Sequence, residues 1–265
     1  MRAVISLGLL LTVAPGIFAQ DWAATVSPYA PGSFAESKPV HLQYGFGWNS
    51  VVAANADLHL TKSDGRYHLE GSGGTTGMGR ALWKFDGKQS AVIDGHTLLP
   101  ILVRETETGR NKVSETEVNF TPAGATSRRD EHRGLTVKSK ARSFDFPHLM
   151  SMSSALLYLR SQTLTDGMVQ RIVVYPATTA YLCSVSVLGN EHITVPAGNY
   201  DAIKLDLQLN KIGKNRELAA HKKFKRATIW LSNDNDRLIL RIEAQVFIGT
   251  VFAELQSAQF ENAKP

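Results

Sequence analysis

After residue 167 the chain is a succession of short runs in which apolar and polar residues alternate or aliphatic residues dominate. Turn-forming residues separate these runs, including Pro196–Gly198 and Asn233–Asp236. Connections this short join antiparallel neighbours, because a parallel crossover needs a dozen or more residues. The pattern therefore predicts an antiparallel β-meander, with strands at 168–175, 180–188, 199–212, 225–232, 237–247 and 249–257.

A β-hairpin is predicted over residues 57–70, where two alternating runs flank Asp64-Gly65. An Asp-Gly pair between alternating runs favours a two-residue turn. That turn pairs Thr61 with His68 and His59 with Glu70. It also puts an apolar face toward the core, formed by Leu58, Leu60, Tyr67 and Leu69.

The middle of the chain gives less regular signals. The glycine-rich stretch Gly71–Gly79 lacks the Lys-Ser/Thr of a phosphate-binding loop, and we interpret it as a flexible connection. Residues 80–107 are expected to form short strands or a short helix, and 112–120 another strand. Residues 121–134 are predicted to be a polar loop.

One helix is predicted at about 149–162, because Leu149, Met152, Leu156 and Leu159 recur at helical spacing. The expected fold class is mainly β. We expect a single strongly curved antiparallel sheet, half-barrel or barrel-like, with this helix packed on its concave side or mouth.

The N-terminus has the three parts of a secretory signal: a basic Arg2, an apolar run and a small residue at Ala19. We therefore predict a signal peptide at 1–19, an extended N-terminal arm at 20–39 and a single β domain at 40–260. The run is too short to span a bilayer, so the mature protein is expected to be secreted and soluble in the periplasm. The lone cysteine, Cys183, cannot form an internal disulfide, and period two places it on an apolar strand face.

Several motifs together resemble the exported bacterial family of domain of unknown function 3108 (DUF3108). Ser154–Arg160, followed by Leu164 and Gly167, is similar to the helix motif of that family. Val195–Tyr200 is similar to its V-P-A-G-x-[YF] turn. The W-x-S-x-D-x-x-R strand end matches Trp230, Ser232, Asp234 and Arg237. The closing strand from Gly249 to Leu255 also resembles its counterpart, so the resemblance spans about residues 40–257.

Two positions depart from the family pattern. Ser151 stands where the helix motif usually opens with Asp, and Leu238-Ile239 follow Arg237 where a Pro is common. The resemblance implies a secreted β protein of the bacterial envelope, broadly like curved-sheet lipoprotein carriers. It assigns no catalytic residues.

Candidate ligand-binding residues are Tyr158 and Arg160 on the helix, with Trp230 and Asp234 at the strand end. Arg160 lies in the last helical turn, where a cation complements the helix dipole and can bond the final carbonyls. Alternatively, Arg160 reaches an anionic ligand head group or pairs with Asp234 in the core. The basic residues Lys222, Lys223, Lys225 and Arg226 either form a solvated hairpin tip or contact an anionic lipid surface.

Motifs for catalysis and metal binding are missing from the sequence. No Gly-x-Ser-x-Gly elbow exists, and Asn233–Asp236 lacks the glycine and later Glu of a calcium loop. His59, His68 and Glu70 share a hairpin face and could bind zinc, but that face is polar throughout and is expected to be solvated. We therefore predict no cofactor, no metal and no catalytic residue.

The net charge of +5 is too small to indicate nucleic acid binding. The favoured hypothesis is a non-enzymatic envelope module that binds an apolar or amphipathic, lipid-like ligand in the curved sheet. One alternative is a structural or assembly factor that contacts an envelope protein or a membrane surface and has no ligand cavity. A hydrolytic enzyme is the third alternative.

Overall fold

A computed structural model describes residues 21–49, 51–220, 226–246 and 249–261 of the 265-residue chain. The described part is mainly β-structure with two α-helices, α1 (Gly77–Leu82) and α2 (Met152–Ser161). The strands are β1 (Val40–Trp48), β2 (Val51–Ser63), β3 (Arg66–Thr75), β4 (Phe85–Asp94), β5 (Pro100–Gly109), β6 (Lys112–Thr121), β7 (Gly124–Arg133), β8 (Thr136–Asp145), β9 (Val169–Val174), β10 (Tyr181–Val195), β11 (Gly198–Ile212), β12 (Leu218–Ala220), β13 (Arg226–Ser232), β14 (Ile239–Val246) and β15 (Gly249–Phe260).

All of these strands belong to one antiparallel sheet. Its order is β8-β7-β6-β5-β4-β3-β2-β1-β15-β14-β13-β11-β10-β9, and the short β12 pairs with β11. Neighbours in the sheet are neighbours in the chain, except where β15 returns to pair with β1 and where β13 pairs with β11 past the short β12. The predicted antiparallel meander is therefore confirmed, and pairing of the first strand with the last joins its two halves.

The predicted first hairpin is confirmed residue by residue. Thr61 pairs with His68 and His59 with Glu70, around a turn in which Asp64 and Gly65 have φ of 50° and 71°. Positive φ at both central positions is the two-residue hairpin geometry whose twist matches that of the strands. In this register the side chains of Leu60 and Tyr67 are buried.

The expectation of a strongly curved, barrel-like closure is wrong in part, because the sheet is neither closed nor strongly curled. The outer edge of β9 is already occupied. Arg171 exchanges hydrogen bonds with Ser27, and Met150 bonds Val173 (3.0 Å) and Tyr175 (2.7 Å). Backbone groups bonded in this way cannot also pair with β8. A side-chain contact links Tyr175, which directly follows β9, to Phe144 of β8, with the two rings 6.1 Å apart.

Three other segments differ from the prediction. The predicted polar loop 121–134 contains β7, because its polar side chains are satisfied across strands, as where Arg129 pairs with Glu107 (2.5 Å). The glycine-rich stretch is not a flexible connection: its first part completes β3 and the rest opens α1. The strand predicted at 180–188 continues to Val195 in β10, through a bulge at Gly189, which has φ of 130°.

Helix α2 is shorter than the predicted 149–162 because Ser151 caps its N-terminus. The Ser151 hydroxyl accepts from the Ser154 amide, and the Ser154 hydroxyl accepts from the Ser151 amide, which forms a capping box. One side of α2 contributes Leu157 to an apolar cluster that joins β1–β7 with residues of β9–β11, such as Val173 and Leu182. The other side contributes residues such as Tyr158 to a cluster on the β9–β14 half. Helix α2 therefore packs against both halves of the sheet.

The predicted extended arm begins with a short 3₁₀ helix, Trp22–Thr25, and has no regular structure from there to β1. It lies against α2, because the amides of Gly32 and Phe34 donate to the hydroxyl (3.0 Å) and carbonyl (3.1 Å) of Ser161. The predicted signal peptide, 1–19, lies outside the described residues. None of the described helices is long and apolar enough to cross a membrane.

Candidate functional site

The turn between β13 and β14 is organised by Asp234. One carboxylate oxygen of Asp234 accepts from the Ser232 hydroxyl (2.7 Å) and from the amides of Asp236 and Arg237 (both 2.9 Å). An aspartate that bonds the backbone two and three residues ahead stabilises a tight turn. These bonds hold Arg237 at a φ of 43°, a left-handed conformation that is uncommon outside glycine.

Arg237 connects this turn to the end of α2. Its guanidinium donates to the carbonyls of Arg160 (3.1 Å) and Gln162, and stacks over the ring of Phe34 at 3.4 Å. The residue is only 6% exposed, and burial lowers the pKa of Arg237. The final carbonyls of α2 are thus bonded by Arg237 and not, as one prediction had it, by Arg160.

Arg160 reaches in the opposite direction, and its guanidinium donates to the carbonyl of Asp236. Burial lowers the pKa of Arg160, although Tyr44, Tyr67 and the nearby aspartates oppose that change. We call Arg160, Asp234, Asp236 and Arg237 the helix clasp. Within the described part of the chain, the Nε of Arg160 has no hydrogen-bond partner.

The structure brings together two of the four predicted ligand-binding residues, Arg160 and Asp234. Tyr158 is buried on α2, where its hydroxyl accepts from the Ala30 amide (3.3 Å) and its ring stacks on Tyr29. Arg160 and Asp234 meet in the helix clasp. Trp230 lies in a separate apolar cluster, and its indole donates to Glu191. A ligand-binding role for these four residues stays a prediction.

Of the four residues predicted to contact anionic lipid, the structure describes only Arg226. Its guanidinium is ion-paired with the buried carboxylate of Asp206. Lys222, Lys223 and Lys225 lie outside the described residues.

The His59 imidazole contacts the Glu261 carboxylate at 2.5 Å. Within the part of the chain that the structure describes, no three His, Cys, Asp or Glu side chains are arranged to hold a metal ion.

An open groove of about 470 Å³, here called the apolar groove, lies over β2–β5 beside α1. One wall is formed by Phe46, Leu58, Trp83 and Phe85. The rings of Trp83 and Phe85 lie 5.4 Å apart. Small-molecule sites in proteins are typically clefts of about 300–1,000 Å³ with mainly apolar walls. The size and lining of this groove meet that description, and none of the four predicted ligand-binding residues lines it.

Glycine residues make room for the groove. Gly71, Gly73 and Gly87 lie on neighbouring strands, with Gly73 paired to both Ala56 and Gly87. A Cβ on Gly71 would lie 2.7 Å from the Leu58 side chain, and one on Gly87 would contact the Phe85 ring at 3.4 Å. Because these glycines have no side chains, the backbone of the sheet forms the floor of the groove, and the aromatic side chains stand above it.

Part of the groove lining is polar. It includes Glu105 and Glu107 together with Gln89, whose amide donates to Glu105 (3.3 Å). Burial, followed by the charge of Glu107, raises the pKa of Glu105, while Arg129 opposes the shift. Aromatic side chains and carboxylates therefore line the same groove, which suits a ligand that has an apolar part and a polar part. Sequence reasoning missed this site, although a glycine run followed by Trp83 and Phe85 is the signal that could have indicated it.

Cys183 faces the apolar cluster beneath α2, on the side predicted from period two, with Val185 and Val187. Burial raises the pKa of the Cys183 thiol to about 12. At neutral pH the thiol is therefore protonated and a poor nucleophile.

Comparison with solved structures finds one with a similar fold. The chain is similar to a β-barrel-like protein of the DUF1849 family from Brucella abortus, with a TM-score of 0.60, 6% identity, and coverage of 86% of this chain and 100% of that one. A Bacteroides fragilis protein with a YmcC-like fold covers 87% of this chain at 9% identity and a TM-score of 0.37, with all of its own chain matched. No curated protein matches this chain in sequence.

Comparison with protein-family models identifies the sequence family. The model described as "Protein of unknown function (DUF3108)" matches residues 41–256, from the start of β1 to the last third of β15. The match includes the helix clasp and the apolar groove, and it agrees with the resemblance seen in the sequence motifs. The chain therefore belongs to the DUF3108 family.

Proposed function

We propose that this chain is an exported, non-enzymatic module that binds an amphipathic, lipid-like molecule in the apolar groove. The single observation that carries the proposal is that aromatic side chains and carboxylates line the same cleft of about 470 Å³. The hydrocarbon part of the ligand packs against Phe46, Trp83 and Phe85. Its polar end faces Gln89 and Glu105, where it donates hydrogen bonds.

Export of the chain is part of the proposal and rests on the signal-like segment that ends at Ala19. A β protein with a single cysteine can fold in an oxidising compartment without forming a wrong disulfide. N-terminal sequencing of the protein recovered from its own cells tests this point. A mature N-terminus near Gln20 supports export, and an intact Met1 contradicts it.

Ligand binding is tested with purified mature chain and the fluorescent apolar probe N-phenyl-1-naphthylamine. Probe bound in the groove gains fluorescence, and single-chain amphiphiles displace it. Gly87→Leu extends a side chain beside Phe85 and fills the groove, so we expect the affinity for the probe to fall by about tenfold or more. Thr136→Leu adds a similar side chain on the exposed strand β8 and serves as the control.

Competition between amphiphiles tests the polar part of the groove lining. Dodecylamine and monolaurin donate hydrogen bonds and are expected to displace the probe at lower concentrations than laurate, which brings a second carboxylate next to Glu105. Native mass spectrometry of the protein from its own envelope supplies an independent readout. Equal probe binding by the wild type and Gly87→Leu, together with a ligand-free mass, would overturn the proposal in favour of an assembly factor.

A further inference from the structure

One end of the sheet exposes large apolar side chains, most of which do not line the apolar groove. Met78 and Leu82 on α1 are each 83% exposed, and Val51 on β2 is 68% exposed. Trp48, Val52 and Trp83 are between 46% and 66% exposed. We call these six residues the apolar rim. Isolated exposed apolar residues are common on proteins, but contiguous ones mark contact surfaces.

Backbone contacts place the parts of the rim side by side. Trp48 pairs with Val51 across the β1–β2 turn and with Val251 on β15. Helix α1 is attached to β2, because the Thr76 amide donates to the Ala53 carbonyl (2.8 Å). The rim is thus one surface made from a hairpin tip and a short helix, and Trp83 is shared with the groove wall.

The charge around the rim is positive. The segments 46–53, 76–84, 109–111 and 249–252 contain Arg80, Lys84 and Arg110 and no acidic residue. Arg110 lies against α1, where its guanidinium donates to the Ala81 carbonyl (3.3 Å). Arg80 is paired with Asp86 at 2.7 Å, which leaves Lys84 and Arg110 as the excess charge. Tryptophan and aliphatic residues flanked by lysine and arginine are typical of surfaces that enter the interface of anionic membranes.

We propose that the apolar rim docks the protein on an anionic phospholipid bilayer, with Met78, Leu82 and Val51 entering the acyl boundary and Lys84 and Arg110 facing the lipid phosphates. Among the described residues, the turns and the short helix that form the rim offer no free strand edge with which a protein partner could pair. The inference does not rest on ligand binding in the groove, because rim residues other than Trp83 do not line it.

Vesicle sedimentation tests the proposal with the mature chain and vesicles of equal parts phosphatidylethanolamine and phosphatidylglycerol. Transfer of one aliphatic side chain out of water is worth roughly a tenfold change in an equilibrium constant. We therefore expect Val51→Ser with Leu82→Ser to lower the partition coefficient by at least about tenfold. Val169→Ser with Leu188→Ser removes exposed apolar surface from β9 and β10 and is the matched control, with circular dichroism confirming the fold of both variants.

Quenching by brominated acyl chains gives a second readout, because the four tryptophans differ in exposure. Trp22 and Trp230 are buried, whereas Trp48 and Trp83 belong to the rim. Docking through the rim predicts quenching that the substitution Trp83→Phe reduces. Lys84→Glu is expected to weaken binding to these vesicles, and phosphatidylcholine vesicles are expected to bind less than the anionic ones.

Several outcomes would overturn the docking proposal. One is absence of vesicle binding by the wild type, and another is equal binding by the rim variant and its control. A third is a dimer, detected by sedimentation velocity, that the rim substitutions dissociate, because it would assign the rim to a second copy of the chain. Gly87→Leu is expected to keep full vesicle binding, so failure of the groove proposal is distinguishable from failure of the docking proposal.

Discussion

Replacing Arg237 with methionine should destabilise the fold by removing the bonds that end α2. Methionine keeps the length of the side chain and its contact with Phe34 but removes both donors to the carbonyls of Arg160 and Gln162. A buried acceptor left without a donor costs about 1–3 kcal/mol. Loss of the cation over a desolvated ring costs up to about 2 kcal/mol.

The substitution also removes the free-energy cost of burying a cation. The lowered pKa of Arg237 reflects that cost. Allowing for that relief, we expect a net loss of about 3 kcal/mol in the free energy of unfolding. For a domain of this size such a loss lowers the melting temperature by roughly 6–12 °C. Arg237→Lys retains the charge but not the planar fork, so its loss should be intermediate.

Urea unfolding followed by tryptophan fluorescence and circular dichroism measures the change. Arg66→Met is the matched control, because Arg66 is exposed in the first hairpin and its replacement should stay within about 0.5 kcal/mol of the wild type. A loss of less than about 1 kcal/mol for Arg237→Met would refute the reasoning, since it would mean that water or other groups satisfy the carbonyls equally well.

Three further predictions follow from the same geometry. Asp234→Ala removes three hydrogen bonds from the turn before Arg237 and should cost about 2–3 kcal/mol by urea unfolding, with Asp234→Asn losing less. Ser151→Ala removes the cap of α2 and should cost about 1 kcal/mol, and a variant as stable as the wild type would contradict the capping role. Cys183 should resist iodoacetamide in the native state and react only after unfolding. Because burial raises the pKa of Cys183 from 9.0 to about 12, its contribution to stability is complete below pH 9 and is lost as the pH rises toward 12. Cys183→Ala should therefore show a shallower loss of stability over that range.

Local patterns in the sequence predicted the first hairpin and the meander correctly. The Asp64-Gly65 pair fixed the register of β2 and β3, because the backbone geometry of a two-residue turn depends on those residues alone. Period two likewise placed Cys183 and Val185 on the buried face of β10. These features involve residues that are neighbours in the chain or across one short turn.

The same reasoning failed where burial depended on distant segments. Residues 121–134 look like a loop because their side chains are polar, yet β6 and β8 provide the cross-strand partners that make β7 a strand. A half-barrel or barrel-like sheet was expected from one continuous meander with a single helix to pack on it, and full closure would pair β8 with β9. Ser27 and Met150 prevent it by taking the hydrogen bonds at the edge of β9, and no local pattern indicated that role.

By itself, the sequence determined the mainly antiparallel β fold, the helix over α2 and membership in the DUF3108 family, because periodicity, turn residues and ordered motifs are local properties of the chain. Only the tertiary structure decided that Arg237 ends α2, that the glycines of β3 form the floor of a groove, and that the apolar rim is one surface. Each of these depends on contacts between residues far apart in sequence, such as Arg237 and Gln162, which only the folded sheet brings together.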